Sequence, residues 1–160
     1  MATLARSLRP VLRSIRSQTR AYADAASDQM KFTLAGANRV FYDQVVVKQV
    51  DVPSFSGSFG ILPKHVPTLA VLKPGVVTVY QEDGQTNKIF VSSGTVTVNE
   101  DSSVQVLAEE AHKVDDLDSS RIQEIMSKAQ QELSSASSEV DKAKAAIAVE
   151  VAEALQKALQ

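Results

Sequence analysis

The 160-residue chain has no cysteine. That excludes a disulfide framework and any thiolate metal site, and leaves the compartment open. Histidine is nearly absent too: His65 and His112 lie in segments of different kinds, and no H-E-x-x-H pattern occurs. A metal site built on these two needs carboxylates that the sequence does not place. No G-x-x-x-x-G-K-[ST] run is present, and "GSFGILPK" has the wrong spacing for one. Serines fall in turns and helix starts, without a nucleophile elbow. No apolar run approaches the roughly 20 residues of a membrane-spanning helix.

Acid is missing from one region. Residues 1–22, "MATLARSLRPVLRSIRSQTRAY", hold Arg6, Arg9, Arg13, Arg16 and Arg20 and no carboxylate. Leu4, Leu8, Val11, Leu12 and Ile15 recur at helical spacing between them. An amphipathic, arginine-rich, acid-poor start reads as an organellar transit peptide, and arginine interrupts the apolar core that a secretory signal needs. "RAYA" places Arg20 two residues before a cut after Tyr22. The competing reading is a basic arm that binds nucleic acid. Without this segment the chain keeps 12 basic and 19 acidic residues, and an acidic body argues against a nucleic-acid footprint.

What remains divides into parts of different period. Residues 23–29 read as a loose N-terminus, 30–110 as a β domain, and 111–160 as a linker and helical hairpin. "VKQVDV", "TVTV" and "SVQVLAE" alternate, and "GVVTVYQEDGQTNKIFV" is a hairpin turning at Asp83-Gly84, where a tight turn takes positive φ. Turn signals recur every 8 to 12 residues, the spacing of a sandwich or barrel of short antiparallel strands. Past Glu110 the period becomes helical. Ile122, Ile125, Met126, Ala129 and Leu133 fall on one helical face, with Asp118 as N-cap and Leu117 able to staple onto Ile122. "SSASS" at 134–138 breaks that helix and offers a serine cap to the next. The second helix sets Val140, Ala143, Ile147, Val151, Ala154, Leu155 and Ala158 on one face. The expected class is α+β: a β-sandwich followed by an antiparallel helical hairpin. Two helices facing only each other cannot bury these residues fully, so the hairpin is expected to dock on the sandwich or a partner.

"GSFGILPKHVPTLAVLKPG", 57–75, packs three glycines, three prolines and His65 among many apolar residues. A linker would carry less apolar surface, and a regular element fewer breakers. Ile61, Leu62 and Leu69 are expected in the core. His65, between Pro63 and Pro67, reads as a partly buried side chain bonded to the backbone of its own turns; a catalytic imidazole here has no visible partner. The acid pairs Glu109-Glu110 and Asp115-Asp116 read as flanks of a solvated β-to-α linker.

"GSFGILPKHVPTLAVLKPGVVTV" and "FVSSGTVTVNEDSSVQVLAEEA" together resemble the delta/epsilon family of F-type ATP synthase in its mitochondrial version, over about residues 30–160. The resemblance implies a ten-stranded sandwich of two five-stranded sheets and a helical hairpin, with no catalytic residue, cofactor or metal. It implies a piece at the foot of the central stalk that holds the gamma subunit, bears on the ring of c subunits and binds the small epsilon subunit. Membrane association would come only through the complex, on the matrix side of the mitochondrial inner membrane. It puts Gly57, Ser58, Phe59 and Gly60 in a ring-facing loop, with Ser58 and Phe59 nearest the ring, and makes Pro63, His65, Pro67, Pro74 and Gly75 a structural motif. The large apolar residues of the hairpin face are Ile122, Ile125, Met126, Leu133, Val140, Ile147, Val151 and Leu155, expected to dock on the sandwich or on a partner. Some bacterial relatives bind ATP through Ile/Leu-Asp-x-x-Arg-Ala. Leu117-Asp118-Ser119-Ser120-Arg121 matches five positions, Ile122 breaks the sixth, and the second helix has no arginine. A docked structural tail is therefore expected; the alternative is a regulatory tail that inhibits hydrolysis.

Overall fold

In a computed structural model the described residues are 29–37 and 39–160. The leader, and all but the last residue of 23–29, lie outside them. Alternation of small β-branched residues generates most of the strands. In β5 (Gly75–Gln81), Val77 and Val79 point into the core while Thr78 and Tyr80 point out, the two-residue period of a pleated strand. It turns into β6 (Thr86–Val91) through Asp83 and Gly84. Gly84 sits at φ +84° and the Asp83 carboxylate accepts from the Gln85 amide at 2.9 Å. This is the turn chemistry expected of that pair.

β2 (Val40–Ser54) organises the sandwich. Its 15 residues reach about 50 Å, too long for one small sheet. The N-terminal half pairs with β1 (Met30–Ala35), which runs parallel to β8 (Val104–Ala108). β8 pairs with β7 (Gly94–Val98), and β7 with β4 (Thr68–Leu72). The C-terminal half of β2 lies between β3 (Gly57–Ile61) and β5, and β6 pairs onward with β9 (Ala111–Lys113). Each layer thus has five strand places. Nine strands fill the ten places of the two expected five-stranded sheets because β2 serves in both. Register shifts bend β2 between layers. At one of them Gln44 takes φ +50° and donates its amide to Thr33 Oγ1 at 3.1 Å, a bulge of the kind that carries a strand from one sheet to the other. Between the layers Phe32, Leu34, Val47, Val50, Ile61, Leu72 and the inward valines of β5 to β8 are fully or almost fully buried. Residues 111–113, expected in the linker, extend the sheet.

A 3-10 turn (Val114–Asp116) leads into α1 (Ser119–Ser135) and α2 (Glu139–Ala158). Both caps are those the sequence indicates. The Asp118 carboxylate accepts from the amides of Ser120 (2.8 Å) and Arg121 (3.4 Å), and Ser138 Oγ accepts from the Asp141 amide at 3.0 Å. The helices form the expected hairpin. Ala129, Ala145, Ala152 and Ala158 are buried with Ile122, while Met126, Val151 and Leu155 are half-buried. Ile125, Leu133, Val140 and Ile147, the rest of that apolar face, are exposed in the isolated chain. Alanine lets two helix backbones approach closely, so the small residues take the contact and the large ones are displaced from it. α2 lies against β5, and its end, with Ala154 and Ala158, lines a cleft of about 320 Å³ over Pro53, Gly75 and Val76.

Hydrogen bonds from Ser120 and then Arg121 hold the Asp118 carboxyl below its ordinary value of 3.8. A group depressed on folding contributes stability that is complete above its unfolded value and is lost as pH falls through the folded one. The helical signal of the hairpin is therefore expected to weaken below about pH 4. In Asp118→Asn, which keeps a capping oxygen, the part of that acid loss due to this cap should vanish. Circular dichroism titration of both chains checks this, and superimposable acid limbs count against it.

Candidate functional site

β3 is the edge strand of its layer: it has a ladder to β2 on one side only, from Val50 opposite Ile61 to Ser54 opposite Gly57. Gly57, Ser58, Phe59 and Gly60, expected as a loop, form this strand instead. The turn is one step earlier, at Phe55 and Ser56. Gly57, Ser58 and Gly60 are exposed, whereas Phe59 is half-buried against the core. The ring of Phe59 lies 6.1 Å from that of His65. At Gly60 the Asp51 side chain uses the space a Cβ would take, coming within 2.8 Å of it through Oδ1.

The segment after β3 is a stiff apolar turn. Pro63 and Lys64 form its bend, and Lys64 sits at φ +63°. The His65 amide returns to the Leu62 carbonyl at 3.1 Å, and His65 Nδ1 lies 2.8 Å from the Val66 carbonyl. The half-buried histidine bonds its own turn, the arrangement that the flanking prolines suggest. Pro67 leads into β4, and Pro74 with Gly75 turns into β5. A Cβ on Gly75 would meet Pro53 Cβ at 3.0 Å.

Of three residues expected in the core, Ile61 is fully buried. Leu62 is 52% exposed and Leu69 74%, which corrects both. β4 reads "TLAVL", apolar at four of five positions, so either alternate set could face inward. Pairing with β7 decides it: Leu72 and Ala70 face the core while Leu69 and Val71 face out. Val71 lies opposite Thr95, and Thr95 opposite Leu107, which is exposed too. Phe55, 70% exposed, donates its amide to the Val71 carbonyl at 3.3 Å. Phe55, Val66, Leu69, Val71 and Leu107 make a broad apolar surface on one layer and its edge. β4 is itself nearly an edge, since beyond β7 it pairs only through Leu72 opposite Ser54. An exposed apolar patch beside open strand edges is the physical mark of a protein-binding surface. Sequence reasoning missed Phe55, Val66 and Val71; the signal for Phe55 is its place directly before a Ser-Gly turn.

The chemistry around this edge is that of contact. On the other outer face Gln49 Nε2 donates to Asp51 Oδ1 at 2.6 Å, and the Asp51 charge raises the Tyr80 hydroxyl above its ordinary value. Among the described residues no three His, Asp or Glu side chains converge as a metal site. No described helix is long and apolar enough to cross a membrane. Asp118 is engaged as a cap, and Arg121 Nη1 donates to Glu124 Oε2 at 3.1 Å. Both polar members of the Leu-Asp-x-x-Arg stretch therefore have local partners.

Comparison with known proteins agrees with this architecture. Residues 29–114 match the family described as ATP synthase, Delta/Epsilon chain, beta-sandwich domain. The mitochondrial ATP synthase subunit delta of Caenorhabditis elegans is 48% identical over 136 residues, 85% of this chain and 83% of that one. That of Neurospora crassa is 33% identical over 160 residues, covering 100% and 97%. Among solved structures, a chain of the Euglena gracilis mitochondrial ATP synthase, in an assembly of OSCP, F1 and c-ring, superposes with a TM-score of 0.80 at 25% identity, covering 88% of each chain. A chain of the Tetrahymena thermophila central stalk and c-ring shares the fold, with a TM-score of 0.62 at 15% identity, covering 82% of this chain and 96% of that one. With a sandwich, a docked helical hairpin and these relatives, the chain belongs to the delta/epsilon family of ATP synthase subunits.

Proposed function

We propose that this chain is a non-catalytic central-stalk subunit of mitochondrial ATP synthase. It joins the gamma shaft to the c-ring, with the small epsilon subunit as a further partner, and so couples proton flow to ATP synthesis. It sits on the matrix side of the inner membrane, attached through the complex, and the arginine-rich leader directs it there. The observation that carries this reading is 48% identity to a mitochondrial delta subunit over most of both chains. The geometry supports it: the most conspicuous surface is an apolar, edge-exposed one suited to protein contact. The β2–β3 hairpin, with its tip at Phe55 and Ser56 and Gly57 to Gly60 in β3, is the ring-facing element, and Pro63, His65, Pro67, Pro74 and Gly75 stiffen the turns beside it.

The tail acts as a docked structural element. In support, α2 lies on β5, and Phe90 of neighbouring β6, opposite Val76 of β5, is buried although it is not part of the inner core. Two experiments test the reading. The mature chain should co-purify with gamma and the c-ring from mitochondrial membranes; a functional rotor assembled without it would overturn the proposal. Deleting 115–160 should impair assembly, because it removes the helix that lies on β5. A large rise in ATP hydrolysis by a normally assembled complex would instead show the tail to be an inhibitor.

A further inference from the structure

Among the described residues only two polar side chains are buried, Ser54 at 1% exposure and Ser102 at 2%. They lie far apart in sequence and on different strands or turns, yet both act on β3. Ser54 Oγ donates to the Gly57 carbonyl at 2.7 Å and lies 2.9 Å from Ser56 Oγ, closing the hairpin at the start of β3. Ser102, in the turn between β7 and β8, accepts the Lys64 amide on its Oγ at 3.1 Å, just past the end of β3. Lys64 and Ser102 are both non-glycine residues in the left-handed region, at φ +63° and +65°. Such backbone persists only where its surroundings hold it.

We infer that Ser54 and Ser102 are a pair of positioning residues that fix the two ends of the partner-facing edge strand; this rests on the reading of that edge as the contact with the rotor. β3 has a ladder on one side only, so its ends would otherwise fray into the turns that display Phe55, Leu62 and Val66. The groups the serines hold belong to exposed residues, Gly57 and Lys64. Each is a single hydrogen bond between neutral groups, so each adds little to global stability. What it fixes is the course of the chain on both sides of the contact surface. A surface held in its bound shape loses less freedom on docking and binds more tightly.

Ser54→Ala and Ser102→Gly separate geometry from folding. The first removes an oxygen from a buried site. The second removes the hydroxyl and also relieves the left-handed backbone, so a purely conformational role for Ser102 predicts an unharmed or more stable protein. Amide hydrogen exchange of the full mature chain, and its affinity for a gamma–c-ring subcomplex, are measured for wild type, both variants and the double variant. Exchange is expected to rise about tenfold at Ser56 to His65 while β7 and β8 stay protected. Affinity is expected to fall about tenfold in each single variant, and further in the double. If exchange rises and affinity holds, or if exchange does not rise, the positioning role is wrong and the contact reading stands. If protection falls throughout the sandwich, the serines are general fold residues and the inference fails. If the wild-type chain does not bind the subcomplex, both readings fall.

Discussion

Gly94→Val is expected to yield no folded chain. Gly94 opens β7 between Leu72 of β4 and Ala108 of β8, at φ +152°. A Cβ there would run into the Leu107 carbonyl oxygen and stand 2.8 Å from Ala108 Cα. Both obstacles are backbone, so no rotamer change relieves them; β7 and β8 must separate, opening the layer that carries Val96, Val98, Val104 and Val106. Substitutions with such a mechanism cost about 4–5 kcal/mol or more, against a total stability of about 5–15 kcal/mol. Gly60 provides the contrast. There an added Cβ meets the side chains of Asp51 and Gln49, which can swing toward solvent, so Gly60→Ala should fold with a modest loss. Soluble yield and thermal unfolding of the two variants check the ranking. A Gly94→Val chain that melts cooperatively within a few degrees of wild type would show that the strands tolerate a shift the geometry forbids.

The sequence made some of this legible and hid the rest for identifiable reasons. Asp83-Gly84, the Asp118 and Ser138 caps and the change from period two to helical spacing are local chemistry, and each lies where the residues place it. The double service of β2 is a tertiary fact. Its bulge residue is Gln44, not glycine, and only the pairing shows where the strand changes layer. The inward face of β4 was ambiguous because nearly every position is apolar. In the hairpin the buried positions of the second helix are alanines, Ala145 and Ala152, while Val140 and Ile147 stay exposed; helical spacing marks the apolar face but not what covers it. Within "GSFGILPKHVPTLAVLKPG" strand and turn are exchanged: Gly57 to Gly60 form β3, and the turn lies just before the stretch, at Phe55 and Ser56. Ser54, at the end of β2, and Ser102, in a turn, are not marked by the sequence, since a serine at either kind of place gives no sign of its burial.

The triple replacement Phe55→Ser, Leu69→Ser and Val71→Ser is expected to abolish incorporation into the rotor while leaving the chain folded. All three side chains are more than half exposed, so exchanging them for a polar residue removes little from the core, and surface changes of this kind usually fall within about 0.5 kcal/mol each. In the assembly they would lie at the centre of a contact, where a few apolar anchors carry most of the energy. Losing three should reduce affinity for gamma and c-ring together by about a hundredfold, or roughly 2.7 kcal/mol. The five side chains of the patch are themselves uncharged, so the part of the affinity they supply should change little between low and physiological salt, unlike a surface that binds through ion pairs. Val140→Ser with Ile147→Ser, on the exposed face of α2, provides the comparison. If that pair disrupts assembly and the sandwich triple does not, the principal contact lies on the helical hairpin, and the edge around β3 and β4 is exposed for some other reason.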